Sequence, residues 1–467
     1  LLIPLYKEVK GNAVKSQHST STRHWRRVAT VLATGVTMSL VLAGCSGGGG
    51  GASAESGSAD DIEAALQEES TLTVWSWAPQ VPLVAEAFME EYPNVTVDVV
   101  NAGTSNDEYI KLQNAIKAGS GVPDVAQIEY SIVPQFALAE SLADLTGFGL
   151  DSLEDEFTAS TWEGVTTEEG LYGLPQDSGP VAMFYNKTVF DQYGIAVPAT
   201  WDEYAAAAAQ LHAADPTKFI ASDSGDAGFT NTMIWQAGGT PYETTDGTNV
   251  TVDLNDEGAQ KWAEVWNPLI EQDLLSPIVG WTDEWYKGLA DGSIATMVTG
   301  AWMPANFETG VADAAGDWRV APMPTYEAGE SVSSESGGSS MSVLEQSENK
   351  LVAAGFLEWI STGEGAQVQI DAGSFPSTVA DLTSDEFLNY KSDYFGGQEI
   401  NKVLVQAAED VVPGWSYLPF QAYANSIYAD TAGQSYVSKT DILDGLAGWE
   451  EQIVDYGNEQ GFTVTAE

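Results

Sequence analysis

Cysteine, histidine and basic side chains are what this chain has least of. One cysteine, Cys45, occurs in 467 residues, which excludes an internal disulfide and a cysteine-based zinc cluster alike. Of three histidines, two fall in an N-terminal segment read below as a removable leader. The third, His212, sits in an alanine-rich stretch and is expected on an exposed helix face. Histidine-rich metal sites are thereby excluded, and a Ser-His-Asp triad is left with that single base. Lys and Arg number 17 against 68 Asp and Glu, a formal charge of −51, which repels nucleic acid and anionic lipid at long range. No nucleic-acid partner is expected, and the acidity reads as a solvated surface. No apolar run reaches the roughly 20 residues of a membrane-spanning helix.

Aromatic side chains, by contrast, are abundant. Hydrophobic residues make up 43% of the chain, with 15 Trp, 18 Tyr and 15 Phe, more than a disordered chain carries. A globular body of this length is expected to divide into two lobes. At the N-terminus, Lys7, Lys10, Lys15, Arg23, Arg26 and Arg27 precede the apolar run Val28 to Leu42. Leu42-Ala43-Gly44-Cys45 and a glycine run follow. A basic region, a short apolar core and small residues before a cleavage point make an export signal. The pattern resembles a bacterial lipoprotein signal: residues 1–44 are expected to be removed and Cys45 to carry lipid. Residues 45–69, rich in Gly, Ser, Ala and acidic side chains, are expected to be a flexible linker.

Hydropathy patterning gives the order of elements after that. Leu72-Thr73-Val74-Trp75 alternates as a strand, residues 82–92 carry one apolar helical face, and Val95, Val97 and Val99 alternate again. A helix over 109–118 and a strand over 125–128 complete a β-α-β-α-β run. Such a run predicts a parallel sheet covered by helices, with ligands at the carboxyl ends of its strands. Those ends carry Ser76-Trp77 and Glu129-Tyr130. A second α/β stretch begins near Tyr172, with a buried strand at 181–185. Thr200-Trp201-Asp202-Glu203 then fits a capping box opening a helix to Ala214. Asp246-Gly247 reads as a hairpin turn, 256–272 as an amphipathic helix, 295–298 as a strand and 350–361 as a helix. A Trp-rich loop is expected around Trp281 and Trp285.

Three motifs suggest chemistry and are discounted. Ser347-Glu348-Asn349-Lys350 fits S-x-x-K without the companion motifs of penicillin-recognising enzymes. Asp253, Asn255, Glu257, Gly258 and Glu264 fit a calcium-loop template only in part, and a helix cap at Asn255 or Asp256 is preferred. Glu129 and Asp177 are the one carboxylate pair that a glycoside hydrolase reading has to offer. Tryptophans in polar loops, Trp77, Trp281, Trp302 and Trp415, carry more information as a group. A Trp face packs on the C–H face of a pyranose while nearby carboxylates and amides hold its hydroxyls.

Five segments together resemble the family-1 extracellular solute-binding proteins of ABC importers, the carbohydrate binders related to maltose-binding protein. Leu72-Thr73-Val74-Trp75-Ser76-Trp77 is similar to their first strand and binding loop, and Val122-Pro123-Asp124-Val125 to a first-lobe segment. Leu174-Pro175 through Phe184-Tyr185-Asn186-Lys187 is the most specific match. Gly292 through Trp302 is similar to a second-lobe strand with an aromatic platform, and Gly363-Glu364-Gly365-Ala366-Gln367 to a late helix. The resemblance implies a type II periplasmic-binding-protein-like α/β fold of two lobes joined by three crossings, near 177–180, 337–340 and 373–376. Lobe 1 would comprise 70–176 and 341–372, and lobe 2 would comprise 181–336 and 377–467. It further implies that Trp302 stacks on a sugar, with Trp77, Glu129, Tyr130, Asp177, Trp235, Trp281, Phe375 and Trp415 as further ligand contacts. The expected function is non-enzymatic capture of a carbohydrate, an oligosaccharide, and its delivery to a membrane permease. No cofactor is needed, and the protein is expected on the outer membrane face, held by lipid alone. A secreted glycoside hydrolase, or a binder of a peptide or polyol, is the alternative.

Overall fold

The computed structural model describes residues 56–167 and 169–467. Cys45, the export signal and the first part of the expected linker lie outside the described residues. The rest of that linker is a correction, because helix α1 (Ala59–Leu66) occupies it. Ser58 closes a capping box with Asp61, and Ile62 and Leu66 are buried against Gly355, where a Cβ would lie 2.9 Å from either side chain. Two apolar residues four apart suffice to dock a short helix that the Ser/Ala/Asp-rich composition conceals.

Lobe 1 is built on one five-stranded sheet. Strand β1 (Ser70–Trp75) pairs in parallel with β2 (Val95–Val100) and with β3 (Val125–Glu129). Helices α2 (Val81–Glu91) and α3 (Asn106–Ala118) connect them. β2 alternates buried and exposed side chains over its first four residues, whereas β3 is buried on both faces. That contrast matches their alternating and continuous apolar patterns. Beyond β3, β4 (Leu174–Pro175) and β10 (Ser339–Val343) extend the sheet in the order β2-β1-β3-β10-β4. β10 runs antiparallel to β3, Ser339 facing Glu129 and Val343 facing Val125. Helix α10 (Lys350–Ser361) packs its apolar face into the same core.

Lobe 2 differs. Its central strand, β5 (Val181–Asn186), is flanked on both sides by antiparallel partners, β8 (Thr296–Gly300) and β9 (Trp318–Pro322). This antiparallel pairing sets the lobe apart from the parallel strands at the start of lobe 1. Strands β6 (Tyr242–Thr245) and β7 (Asn249–Val252) form the expected hairpin, with Asp246 and Gly247 both at positive φ, the backbone that a tight two-strand turn needs. The C-terminal β11 (Thr463–Ala466) adds to β7 in parallel. Its core draws on residues from Val181 to Met323 and again from Phe375 to Val464.

Local chemistry explains several boundaries. Helix α6 (Trp201–Ala214) starts where the Thr200 hydroxyl accepts from the Glu203 amide. The Glu203 carboxylate accepts from the Ala199 amide at 2.8 Å, one residue before the position a capping box uses. His212 is half-buried, its Nδ1 3.1 Å from the Lys218 carbonyl and its ring 5.0 Å from Phe219, which corrects the exposed placement. Asp256 caps α8 (Glu257–Glu271), accepting from the Ala259 and Thr240 amides at 2.7 and 2.8 Å. Ser347 donates to Asp124 Oδ1, a structural contact. Trp285 lies buried on α9 (Asp283–Ala290), not in a loop.

Three segments between the lobes run together. Gln176 N donates to the Ser339 carbonyl at 2.9 Å, Ser336 N to Gly179 O at 2.8 Å and Ser178 N to Phe375 O at 3.2 Å. Each crossing satisfies backbone groups of another, so main-chain bonds help tie the junction.

Candidate functional site

A cavity of ≈ 240 Å³ lies between the lobes, beside these crossings. Lobe 1 contributes Tyr130, the helix α4 (Val133–Leu138) and the short helix α5 (Ala159–Glu163) with Gly164. Lobe 2 contributes Trp235, Trp415 and Tyr417, and the second crossing contributes Glu335 and Gly337.

Trp235 occupies the last turn of α7 (Ala227–Gln236), which begins where Asp226 accepts from the Phe229 amide. Its indole Nε1 donates to the Val412 carbonyl at 2.5 Å, and its ring stacks on Trp415 with centroids 5.1 Å apart and planes 6° apart. Trp415 in turn meets Tyr242 and Tyr417 edge-on, at 6.0 and 5.9 Å. Two parallel indoles braced by perpendicular rings form a stiff apolar wall.

Another part of the lining is polar, and buried carboxylates gather at and near it. Glu335 accepts from Ser160 Oγ at 2.8 Å, from the Gly179 amide at 2.9 Å and from Ser178 Oγ at 3.3 Å. Burial pushes its carboxyl above the usual range, and these three donors pull it back. The Tyr130 hydroxyl donates to the Asp177 carbonyl at 2.6 Å. Its ring lies so close to Gly164 and Gly338 that a Cβ at either would fall 2.8 or 2.6 Å from it. Only glycine fits both positions, and at Gly338 the left-handed φ of 89° asks for glycine as well. Asp177 accepts from the Ser339 amide at 2.7 Å. Burial pushes its carboxyl up to about 7, the Ser339 bond opposes this, and the charges of Glu335 and Glu129 reinforce it. Glu129 accepts from Ser105 Oγ and Tyr109 OH at 2.8 and 2.9 Å. Burial raises it, those two bonds lower it, and lobe 2's Asp226 raises it further. Every donor to these three carboxylates is neutral, so their charge is stabilised by dipoles alone.

Of the residues expected at the site, the cavity brings together Tyr130, Trp235 and Trp415. Glu129 and Asp177 stand behind Tyr130 and do not line it. Trp302 is half-buried and donates its Nε1 to the Ser336 carbonyl at 2.7 Å, where it packs against Gly337. Trp281 is 54% exposed, at a left-handed φ of 66°, with its ring 5.7 Å from that of Trp302. Trp77 meets Tyr109 edge-on at 6.0 Å. Phe375 is a correction: it is 3% exposed within the lobe 2 core and packs edge-on against Phe387 at 5.6 Å, so it presents no face to a ligand. Tyr417, Glu335 and Ser160 were missed. Glu335 had a signal, as the only carboxylate among Ser331–Ser340. Tyr417 stood two residues from Trp415. Ser160 had none, since the fold alone brings α5 to the crossing.

Among the described residues, no group of three or more His, Cys, Asp and Glu is arranged to hold a metal ion, and no helix is long and apolar enough to cross a membrane.

Comparison with known proteins places this architecture. The chain is 26% identical over 369 residues to an arabinooligosaccharide-binding protein of Halalkalibacterium halodurans, covering 75% of this chain and 80% of the relative. It is 26% identical over 353 residues to a lactose-binding protein of Rhizobium radiobacter, covering 70% and 80%. A solved ABC-transporter-associated binding protein of B. animalis subsp. lactis Bl-04, in complex with β-1,6-galactobiose, superposes with a TM-score of 0.79 at 41% identity, over 85% of this chain and 100% of that one. The galacto-N-biose-/lacto-N-biose I-binding protein of Bifidobacterium longum, in complex with lacto-N-biose, gives 0.74 at 25% identity, over 85% and 98%. The model of the family described as bacterial extracellular solute-binding protein matches residues 76–367. Two lobes, three crossings and a cavity between them accord with that match, and the chain belongs to the bacterial extracellular solute-binding protein family.

Proposed function

We propose that this protein captures an oligosaccharide between its lobes and delivers it, unaltered, to the permease of an ABC importer. The observation that carries the reading is the interlobe cavity whose lining combines the Trp235–Trp415 stack with Glu335. Aromatic faces suit the C–H surface of a pyranose, and a carboxylate accepts from its hydroxyls. The solved relatives that hold β-1,6-galactobiose and lacto-N-biose support a sugar as the ligand.

Lobe 1, taken as 70–176 with 341–372 and the added helix α1, and lobe 2, taken as 181–336 with 377–467, hinge at the crossings. A sugar touching both lobes stabilises the closed arrangement, since only there are both sets of contacts made. Closure is then the signal the permease reads. Tyr130, Trp235 and Trp415 make the first contacts in this scheme. Trp302, Trp281 and Trp77, with Glu129 and Asp177, border a longer ligand.

A non-enzymatic role is favoured because the family and its relatives are binders, and because Glu129 and Asp177, the pair available for hydrolysis, are each engaged in hydrogen bonds outside the cavity lining. Lipid on Cys45 would hold the protein at the outer membrane face and raise its concentration near the permease. Titration calorimetry against galactobioses, lactose, lacto-N-biose and arabinooligosaccharides is expected to find a binder that is recovered intact. Heat from none of them, or cleavage of the bound sugar, would overturn the reading. Labelling with radioactive fatty acid in a bacterial host should mark the full chain and spare Cys45→Ser.

A further inference from the structure

A second cavity, ≈ 320 Å³, adjoins the first. The two share Ser160, Glu163 and Trp235 as walls. Its remaining surface comes from the two lobes in unequal parts: Thr158 and Ala159 from lobe 1, and from lobe 2 the short helix α11 (Val379–Leu382), helix α12 (Ile400–Glu409) and the turn Val411–Pro413. Most of its lining is aliphatic, with Leu382 and Val405 buried and Val379 43% exposed, while Thr158, Ser160, Glu163, Thr383 and Glu409 add polar groups.

Saccharide hydroxyls lose water on entering a pocket and need partners there. The aliphatic part of the second cavity supplies none, and the hydroxyls of Thr158, Ser160 and Thr383 there are already hydrogen-bonded within the protein. The first cavity offers aromatic faces and a carboxylate, while the second offers apolar volume on the far side of the Trp235 ring. Glu163, with an exposed side chain between the two, is free to swing aside and join them.

We infer that the second cavity is a subsite for an apolar aglycone, so that the preferred ligand is a glycoside whose sugar lies against Trp235 and Trp415 and whose anomeric substituent, an aryl or alkyl group, passes Ser160 and Glu163 into the pocket of Leu382, Val405 and Val379. This inference rests on the carbohydrate reading and adds to it the chemistry of the group attached to the sugar. The exposed edge at Val379 leaves an exit, so aglycones longer than the cavity are also accepted.

Calorimetry on the lipid-free protein tests it, with the best sugar from the screen above supplied as its methyl glycoside and as its 4-nitrophenyl glycoside in both anomers. Burying an aryl ring is expected to make one nitrophenyl anomer bind about tenfold tighter than the methyl compound. Ala408→Phe, which fills the pocket, and Val379→Ser, which makes its edge polar, are each expected to reduce that ratio while leaving the methyl glycoside's Kd unchanged. Equal affinities for methyl and nitrophenyl glycosides, alongside clear binding of the sugar, would overturn the subsite and leave the carbohydrate reading standing. Loss of methyl and nitrophenyl binding in equal proportion in both variants would likewise overturn it. No heat with the free sugar or any glycoside would overturn both.

Discussion

The two walls of the interlobe cavity are held in opposite ways. On the lobe 2 side, Trp235 and Trp415 are fixed by face-to-face packing, by edge contacts with Tyr242 and Tyr417, and by one indole bond to a backbone carbonyl. That wall carries no charge and has nothing to titrate below the tyrosine range. On the other side, Glu335 in the lining, and Asp177 and Glu129 outside it, are held by hydroxyls and amides without a neighbouring cation among their donors. One wall therefore owes its rigidity to buried area, and the other owes its charge state to a handful of dipoles in a low-dielectric setting. The apolar wall should dominate affinity and stability, and the acidic wall should set orientation and pH response.

The comparison breaks most visibly at Trp235. Trp235→Ala removes one plate of the stack and leaves a hole between α7 and Val412, and denaturant unfolding is expected to show a loss of about 3–5 kcal/mol. A loss below about 1 kcal/mol would mean that the stack is not a packed wall. Trp415 is only half-buried, so Trp415→Ala should act mainly on ligand, weakening sugar binding by about tenfold or more in calorimetry. Glu335→Gln keeps the shape and gives up the charge, and is expected to cost less affinity than Trp415→Ala. The reverse order would show that the acidic wall, not the aromatic one, carries the binding energy.

The pH response belongs to the buried carboxyls. Asp177, at about 7 in the folded chain against an ordinary 3.8, keeps a proton that the unfolded chain has released. Its contribution to stability is complete below about pH 4, falls as pH rises and is lost once pH passes through about 7. Melting temperature should therefore decline across that window, and Asp177→Asn should flatten the decline. An Asp177→Asn profile parallel to that of the parent would detach this carboxyl from the response. The smallest effect is expected far from either wall. Lys187 and Asp191 form a solvent-exposed pair one helical turn apart, and Lys187→Ala should change unfolding free energy by no more than about 0.5 kcal/mol.

Lobe 1 was the more legible half. Its strands alternate with helices, the residues of β1, β2 and β3 follow one another with single-helix connections, and periodicity alone orders them. In lobe 2 the partners of β5 come from far along the chain and run antiparallel to it. No local pattern records which strands pair. The helix at 59–66 escaped notice because only Ile62 and Leu66 carry its burial. At Trp285 the neighbouring Trp281 and Tyr286 blur the apolar face of α9, so the helix reads as a loop in the sequence.

At the site, residue type was readable and position was not. Loop tryptophans with carboxylates and amides near them pointed to a ring-lined carbohydrate cleft, and the motif Leu174 to Lys187 pointed to the family, since such features are fixed by composition and by contiguous sequence. Whether a given aromatic reaches the cleft depends on contacts between segments distant in the chain. Trp235 and Trp415 meet across a helix end and a loop, Phe375 turns into the core beside Phe387, and Trp302 gives its indole N–H to the crossing at Ser336. Nothing local separates these tryptophans and phenylalanines from one another; close packing of the whole lobe assigns each its face, because a side chain buried on one side has no surface left to offer on the other.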